Sequence, residues 1–492
     1  MLFNSLAFLV FLPTFLLGFA LLRGRTRTAW TLAGSYVFYG WWDARFLALI
    51  LLSTLVDYTV GRKLGAEEDP TLRRRWVTLS VVTNLGILGF FKYAGFFSES
   101  FVALARSVGF EPGAFTLDIV LPVGVSFYTF QTMSYTLDLY RERIEVERSL
   151  LRFATFVAFF PQLVAGPIVR ASHLLPQLRR GPRWRSEDLT IGVGLILLGF
   201  AKKVAVADSL APVVDRVFAE PGVLGGPMLL VGVVFYAFQI YCDFSGYSDI
   251  AIGLGRIMGF HLPWNFDRPY FARSFSEFWT RWHITLSKWL RDYLYIPLGG
   301  SRSGRARTLR NLMITMLLGG LWHGAAWTFV FWGALHGGYL VLQRGVARWW
   351  ELGTTAGRIG GSTVGGPART GPEGSGNARN GFLRAAMEMG VVFSLTCFAW
   401  VFFRAPDFAT AWQVLAGIGS WAPGSVILRA EVAKGALLVA GLVGLEAMSF
   451  RISFGRLMIR SLATRVAAYA ALLWLIGVAG TFDGGQFIYF QF

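Results

Sequence analysis

A chain of 492 residues that is 54% hydrophobic and only 15% charged is too apolar for a soluble globular protein, which carries roughly a quarter charged residues. Its 46 Lys+Arg against 29 Asp+Glu give a formal charge of +17. The basic residues fall in short clusters between apolar runs, where they orient helices and face anionic lipid headgroups, so no nucleic-acid partner is expected.

The opening run, "MLFNSLAFLVFLPTFLLGFALL", is followed rather than preceded by Arg23, Arg25 and Arg27. A signal peptide carries its charge first, so we expect an uncleaved span with its N-terminus outside. The positive-inside rule, applied loop by loop, places spans at about 29–42, 45–61 and 76–97, with Arg62, Lys63, Arg73, Arg74 and Arg75 inside. A charge-poor external loop near 98–118 and a span over 119–139 follow. "LRFATFVAFFPQLVAGPIVR" is then broken by Pro161, Gly166 and Pro167 and is basic at both ends. It should dip in from the cytoplasm without crossing, which irregular backbone tolerates only inside protein or a wet cavity.

Spans at 189–208 and 227–250 lead to a long basic stretch, 255–310, on the inside. Segment 311–343 is basic at both ends and too long for one comfortable span, so a hairpin or broken pair is expected, with its break near His323 and Gly324. Residues 351–381, rich in Gly, Ser, Thr and Arg, lack the apolar content for a core and read as a flexible cytoplasmic loop. Spans at 382–403, 432–449 and 462–479 finish the chain, with Arg451, Arg456 and Arg460 inside and the tail 480–492 outside. The fold class is an all-α polytopic membrane protein, a single membrane domain over 1–492.

Polar residues inside such a chain are costly and mark function or pairing. "GGLWHGAAWTFVFWGALHGG" carries His323 and His336, 13 residues apart. In one straight helix they would differ by about 220° and could not share a site. Each is either a catalytic imidazole or a histidine bonded to a facing helix. In "RSFSEFWTRWHITLSKWLRDYLYIPLGG", Phe275, Phe278, Trp279, Trp282, Leu286, Trp289, Leu290 and Tyr293 form one helical stripe, and Glu277, Arg281, Lys288 and Asp292 fall on the other side. This predicts an amphipathic interfacial helix with His283 at the edge of its stripe. Gln239, Asp243 and Tyr247 recur at i, i+4 and i+8 and share a face. Asp243 either marks a polar cavity or pairs with an arginine of the re-entrant segment. The ending "FIYFQF" is an aromatic belt at the outer interface, or it presents Tyr489 to the site, since thirteen extended residues reach about 43 Å. Cys242 and Cys397 read as small buried hydrophobes, and no metal is expected.

These segments, with "LPVGVSFYTFQTMSYTLDLYR", "YCDFSGYSDIAIGLGRIMGF" and "FAWVFFRAP", resemble the membrane-bound O-acyltransferases. The likeness runs from about residue 119 to the end. It is nearest to the bacterial branch of alginate O-acetyltransferases and of the D-alanyl and peptidoglycan acyl-transfer proteins. The resemblance implies a ring of about ten to twelve transmembrane and re-entrant helices around a central tunnel. It implies His323, in the Trp-His-Gly element, as catalytic base, His283, in the Arg-Trp-His element, as the second polar group, and Tyr489 as an acyl carrier. Trp322, Arg281, Trp282, His336, Asp243, Tyr247 and Gln239 would line the tunnel or substrate path. The implied donor is acetyl-CoA from the cytoplasm, its phosphates favoured by Arg and Lys near 268–310. The implied acceptor is an extracytoplasmic polysaccharide, reached directly or through a secreted SGNH-hydrolase-like acetyltransferase, at a bacterial inner membrane with both termini outside. Two other classes stay open on the residues alone: a polysaccharide or lipid-linked sugar transporter, and a non-catalytic scaffold of a secretion complex.

Overall fold

The computed structural model describes the chain except residues 112–118, 303, 357–377, 422–423, 426–428, 483–486 and 489–492, and except the side chains of 346–356 and 378–380. Helices make up its regular structure, with one isolated bridge between Leu224 and Ser425 among the described residues. Seven helices are long and apolar enough to cross a membrane: Ala44–Leu64, Pro70–Ser107, Asp188–Ala219, Gly226–Ile257, Gly381–Arg404, Arg429–Ser449 and Leu462–Ala479. The protein is multi-pass. The backbone divides into two compact units, one of Met1–Asn265, Gly324–Ala326 and Gln413–Phe492, the other of Phe266–His323 and Trp327–Trp412.

In the first unit, Leu47–Leu64, Pro70–Leu88 and Val125–Tyr140 pack around a polar seam. Ser80 Oγ donates to Asp57 at 2.6 Å, Asn84 Nδ2 donates to Asp57 at 2.9 Å, and Ser53 Oγ donates to Asn84 at 2.7 Å. Polar groups on spanning helices are tolerated when they satisfy one another in this way. The external loop expected near 98–118 is not a loop over its first part. After a π turn at Gly89–Tyr93, helix resumes over Ala94–Ser107. The low charge that suggests a loop coincides with Phe97, Phe101 and Leu104 at helical spacing, and residues 112–118 lie outside the described part.

The segment 151–170 is irregular, as expected. A helix over Leu150–Ala158 breaks at Phe159 (φ −55, ψ 105) before the short helix Phe160–Leu163. The run from Phe153 to Val169 is buried throughout, which is what broken backbone at membrane depth requires. Helix Asp188–Phe200, a π turn over Ala201–Ala207 and helix Asp208–Ala219 run on without a gap and pack along Gly226–Ile257. A Cβ on Gly246 would lie 2.7 Å from the Gly199 carbonyl oxygen, so these two backbones approach as closely as only glycine allows.

In the second unit, helices Arg305–His323 and Trp327–Ala356 form the expected pair with its break after His323. A Cβ on Gly320 would strike the carbonyl of Phe329, and one on Gly333 that of Met316. The second helix continues through 351–356, so the first part of the loop expected at 351–381 is helical. Its portion 357–377 lies outside the described residues, and the next helix is Ala378–Arg404. Phe408–Ser420 is a further helix that the sequence does not suggest.

The single amphipathic helix expected over 275–293 is two. Phe275–Arg281 ends at Trp282, which is extended (φ −98, ψ 130), and Ile284–Leu290 starts after His283, which is left-handed (φ 40, ψ 54). The aromatic spacing reads as one continuous stripe, and nothing in it announces a positive φ at a non-glycine residue.

Candidate active site

The break at His283 turns both Trp282 and His283 fully inward, each 0% exposed. A left-handed non-glycine residue costs about 1–3 kcal/mol and persists only where its surroundings over-determine it, as at functional sites. Here the following turn helps to hold it, since Ser287 N–H donates to the His283 carbonyl at 3.0 Å and Ser287 Oγ to that of Trp282 at 3.3 Å. Burial also pushes the His283 imidazole down to about 3, because a desolvated ring resists taking a charge. At neutral pH it offers one donor and one acceptor.

His323 closes helix Arg305–His323 and is also buried. Its ring centroid lies 6.1 Å from that of His283, and Trp322 adjoins both, at 5.8 Å from His283 and 5.0 Å from His323. Beyond His323 stand Trp332 at 5.2 Å and Phe403 at 5.4 Å. Trp332 separates His323 from His336, whose ring lies 4.8 Å from its own. The helix break therefore brings both histidines of the 319–338 stretch to one tryptophan, which a straight helix forbids. His336 stacks on Phe278 (5.9 Å, 12°) and meets Trp279 at 5.2 Å. Neither of its buried ring nitrogens has a hydrogen-bond partner among the described residues. Trp282 belongs to the same wall, 5.0 Å from Trp400. Arg281 instead pairs with Glu277 at 2.6 Å on the more exposed side. Sequence reasoning misses Trp332, Trp400 and Phe403 as site residues; the "FAWVFF" run carries the signal, an aromatic cluster within a span.

The first unit holds a second polar cluster. Gln239, Asp243 and Tyr247 are buried on Gly226–Ile257. Asp243 does not pair with an arginine of the 151–170 segment. Its Oδ1 accepts from Lys203 Nζ at 2.7 Å, and Lys203 also donates to Asp208 at 2.8 Å. The partner comes from the π turn Ala201–Ala207, and the lysine pair inside that apolar span is the overlooked signal. The second oxygen, Oδ2, accepts the backbone N–H of Ile488 at 2.9 Å. Phe487 lies with its ring 4.5 Å from Lys203 Nζ and edge-on to Tyr247 at 4.7 Å. Phe487 and Ile488 are thus buried, not set in an interfacial belt. Tyr489 itself lies outside the described residues.

A multi-pass helical membrane protein that buries a histidine pair within an aromatic wall has the makings of a membrane-embedded transferase. The chain matches the MBOAT, membrane-bound O-acyltransferase family over residues 42–358, and it belongs to that family. It is an O-acyltransferase. Among its relatives, "Probable alginate O-acetylase AlgI" of Azotobacter vinelandii is 43% identical over 426 residues, 86% of this chain and 79% of that one. "Peptidoglycan O-acetyltransferase" of Helicobacter pylori is 34% identical over 453 residues, 85% of this chain and 80% of its own. "Teichoic acid D-alanyltransferase" of Streptococcus thermophilus is more distant, 33% identical over 45% of this chain and 56% of its own.

Proposed function

We propose that the protein transfers an acetyl group from cytoplasmic acetyl-CoA for O-acetylation of a polysaccharide outside a bacterial inner membrane, with His323 as the base. The observation that carries this reading is the buried pair of imidazoles, His283 and His323, with ring centroids 6.1 Å apart. The names of the alginate and peptidoglycan relatives support the acetyl group and the polymer acceptor.

In the reaction, a hydroxyl oxygen attacks the thioester carbonyl carbon while His323 takes the hydroxyl proton. The tetrahedral intermediate collapses, the C–S bond breaks, and the thiolate takes its proton from the imidazolium. The neutral ring of His283 hydrogen-bonds the oxyanion or the leaving thiol. Trp322, Trp332 and Phe403 exclude water, which strengthens each of these interactions.

The attacking hydroxyl in this proposal is the phenol of Tyr489, which then hands the acetyl group to an extracytoplasmic acceptor or to a secreted SGNH-hydrolase-like acetyltransferase. The Phe-x-Tyr-x-x-Phe pattern at the C-terminus motivates it. The test is mass spectrometry of the C-terminal peptide from active protein incubated with acetyl-CoA. A mass increase of one acetyl group on Tyr489 that disappears in Tyr489→Phe supports the carrier role. An unmodified Tyr489 together with full activity of Tyr489→Phe ends the carrier role and leaves direct transfer from acetyl-CoA to the polymer.

A further inference from the structure

Six arginines, Arg25, Arg27, Arg148, Arg152, Arg179 and Arg180, line one cavity of about 590 Å³ in the first unit, and no carboxylate lines it. Three of them are engaged. Arg152 and Arg179 grip Glu147 at 2.8 and 2.7 Å, and Arg27 donates to the Leu22 carbonyl at 2.8 Å while lying over the Phe19 and Trp184 rings. Arg25, Arg148 and Arg180 have no carboxylate partner among the described residues. Arg179 also meets Glu145 at 3.4 Å, and nearby Arg73, outside the cavity, meets Glu142 at 3.2 Å. Three guanidinium groups without a carboxylate thus face this one cavity.

Guanidinium forks that converge without a carboxylate match the oxygens of a phosphate, which they bind in bidentate fashion. Helix Gly24–Gly40 starts at the rim with no side chain capping its first N–H groups, which adds further positive potential. The rest of the wall mixes apolar Phe19, Leu150, Leu178 and Phe260 with the hydroxyls of Thr28, Thr31, Ser149 and Thr155, and Leu17 and Leu21 are exposed on the adjoining helix. We propose that this cavity binds a phosphate group carried on an amphiphile. Its source is either the headgroup of an anionic phospholipid or the phosphate-rich end of an acyl-coenzyme donor. None of the cavity's arginines belongs to the basic stretch 255–310, and its binding of phosphate does not depend on His323 being the base.

The experiment uses the full chain in nanodiscs containing phosphatidylglycerol. Native mass spectrometry reads retained lipid, and equilibrium binding reads adenosine 3′,5′-bisphosphate, the nucleotide end of the donor. The variant is Arg25→Gln/Arg148→Gln/Arg180→Gln. The control is Arg62→Gln/Arg74→Gln/Arg75→Gln, which removes as much charge from exposed arginines elsewhere. A tenfold or greater loss of retained lipid in the first variant alone supports the site with phospholipid as its ligand. A similar loss of bisphosphate binding alone supports it with the donor as its ligand. Losses equal to the control's in both readouts would overturn it. Should the triple variant fail to fold, Arg148→Gln alone is expected to lose severalfold of the same binding, and an unchanged single variant is again a refutation.

Discussion

Lys203 Nζ sits 2.7 Å from Asp243 Oδ1 with both side chains almost wholly buried, and the other oxygen of that carboxylate holds the backbone of Ile488. Removing one member of a buried pair costs about 3–5 kcal/mol, because the survivor keeps its charge without a partner. Lys203 serves two carboxylates, Asp243 and Asp208. Lys203→Met should therefore destabilise the protein more than Asp243→Leu, and the double variant should be less unstable than the two single losses summed. Thermal unfolding in detergent measures this. Equal losses that add fully would mean that the pair is not coupled.

The same cluster predicts a change in the tail. Asp243→Leu removes the acceptor of the Ile488 N–H, whereas Asp243→Asn keeps one. Carboxypeptidase should release C-terminal residues at least tenfold faster from Asp243→Leu than from wild type, with Asp243→Asn in between. Identical release from all three would show that Asp243 does not anchor the tail.

His283 adopts φ 40, a region that asparagine tolerates and alanine does not, at a cost of about 1–2 kcal/mol. His283→Asn should therefore unfold at a higher temperature than His283→Ala, while both lose tenfold or more in acetyl transfer. A fully active His283→Asn would remove the imidazole from the chemistry and leave only its backbone role.

His283 also predicts an acid limit to stability. Burial lowers its pKa to about 3 from the ordinary 6.5, the value it regains in the unfolded chain. Between those values the unfolded chain binds the extra proton, so stability is complete above about pH 6.5 and falls as pH drops toward 3. The steepest slope from one such group is about 1.4 kcal/mol per pH unit. His283→Gln should flatten that part of the unfolding profile, and an unaltered profile would assign the acid sensitivity to other groups.

Much of this is legible in the residues, for identifiable reasons. The break after His323 follows from flanking charge and glycine, and the irregular 151–170 segment from Pro161, Gly166 and Pro167. The turn at His283 is not legible, because the aromatic spacing over 275–293 fits one helix and tertiary packing overrides it. The partner of Asp243 escapes the sequence for a similar reason. An arginine of the re-entrant segment looks available, yet Lys203 lies directly across on a helix that Gly199 and Gly246 bring to backbone contact. The tryptophan wall depends on Trp332 and Trp400, far apart in the chain and 5.6 Å apart as rings. No local pattern encodes that proximity.

The most direct measurement is the rate of acetyl transfer by purified His323→Ala in proteoliposomes, with monodispersity and unfolding temperature matched to wild type. Loss of general-base catalysis predicts a fall of about 10²–10⁴-fold. A folded His323→Ala protein within twofold of the wild-type rate would contradict a catalytic imidazole at this position.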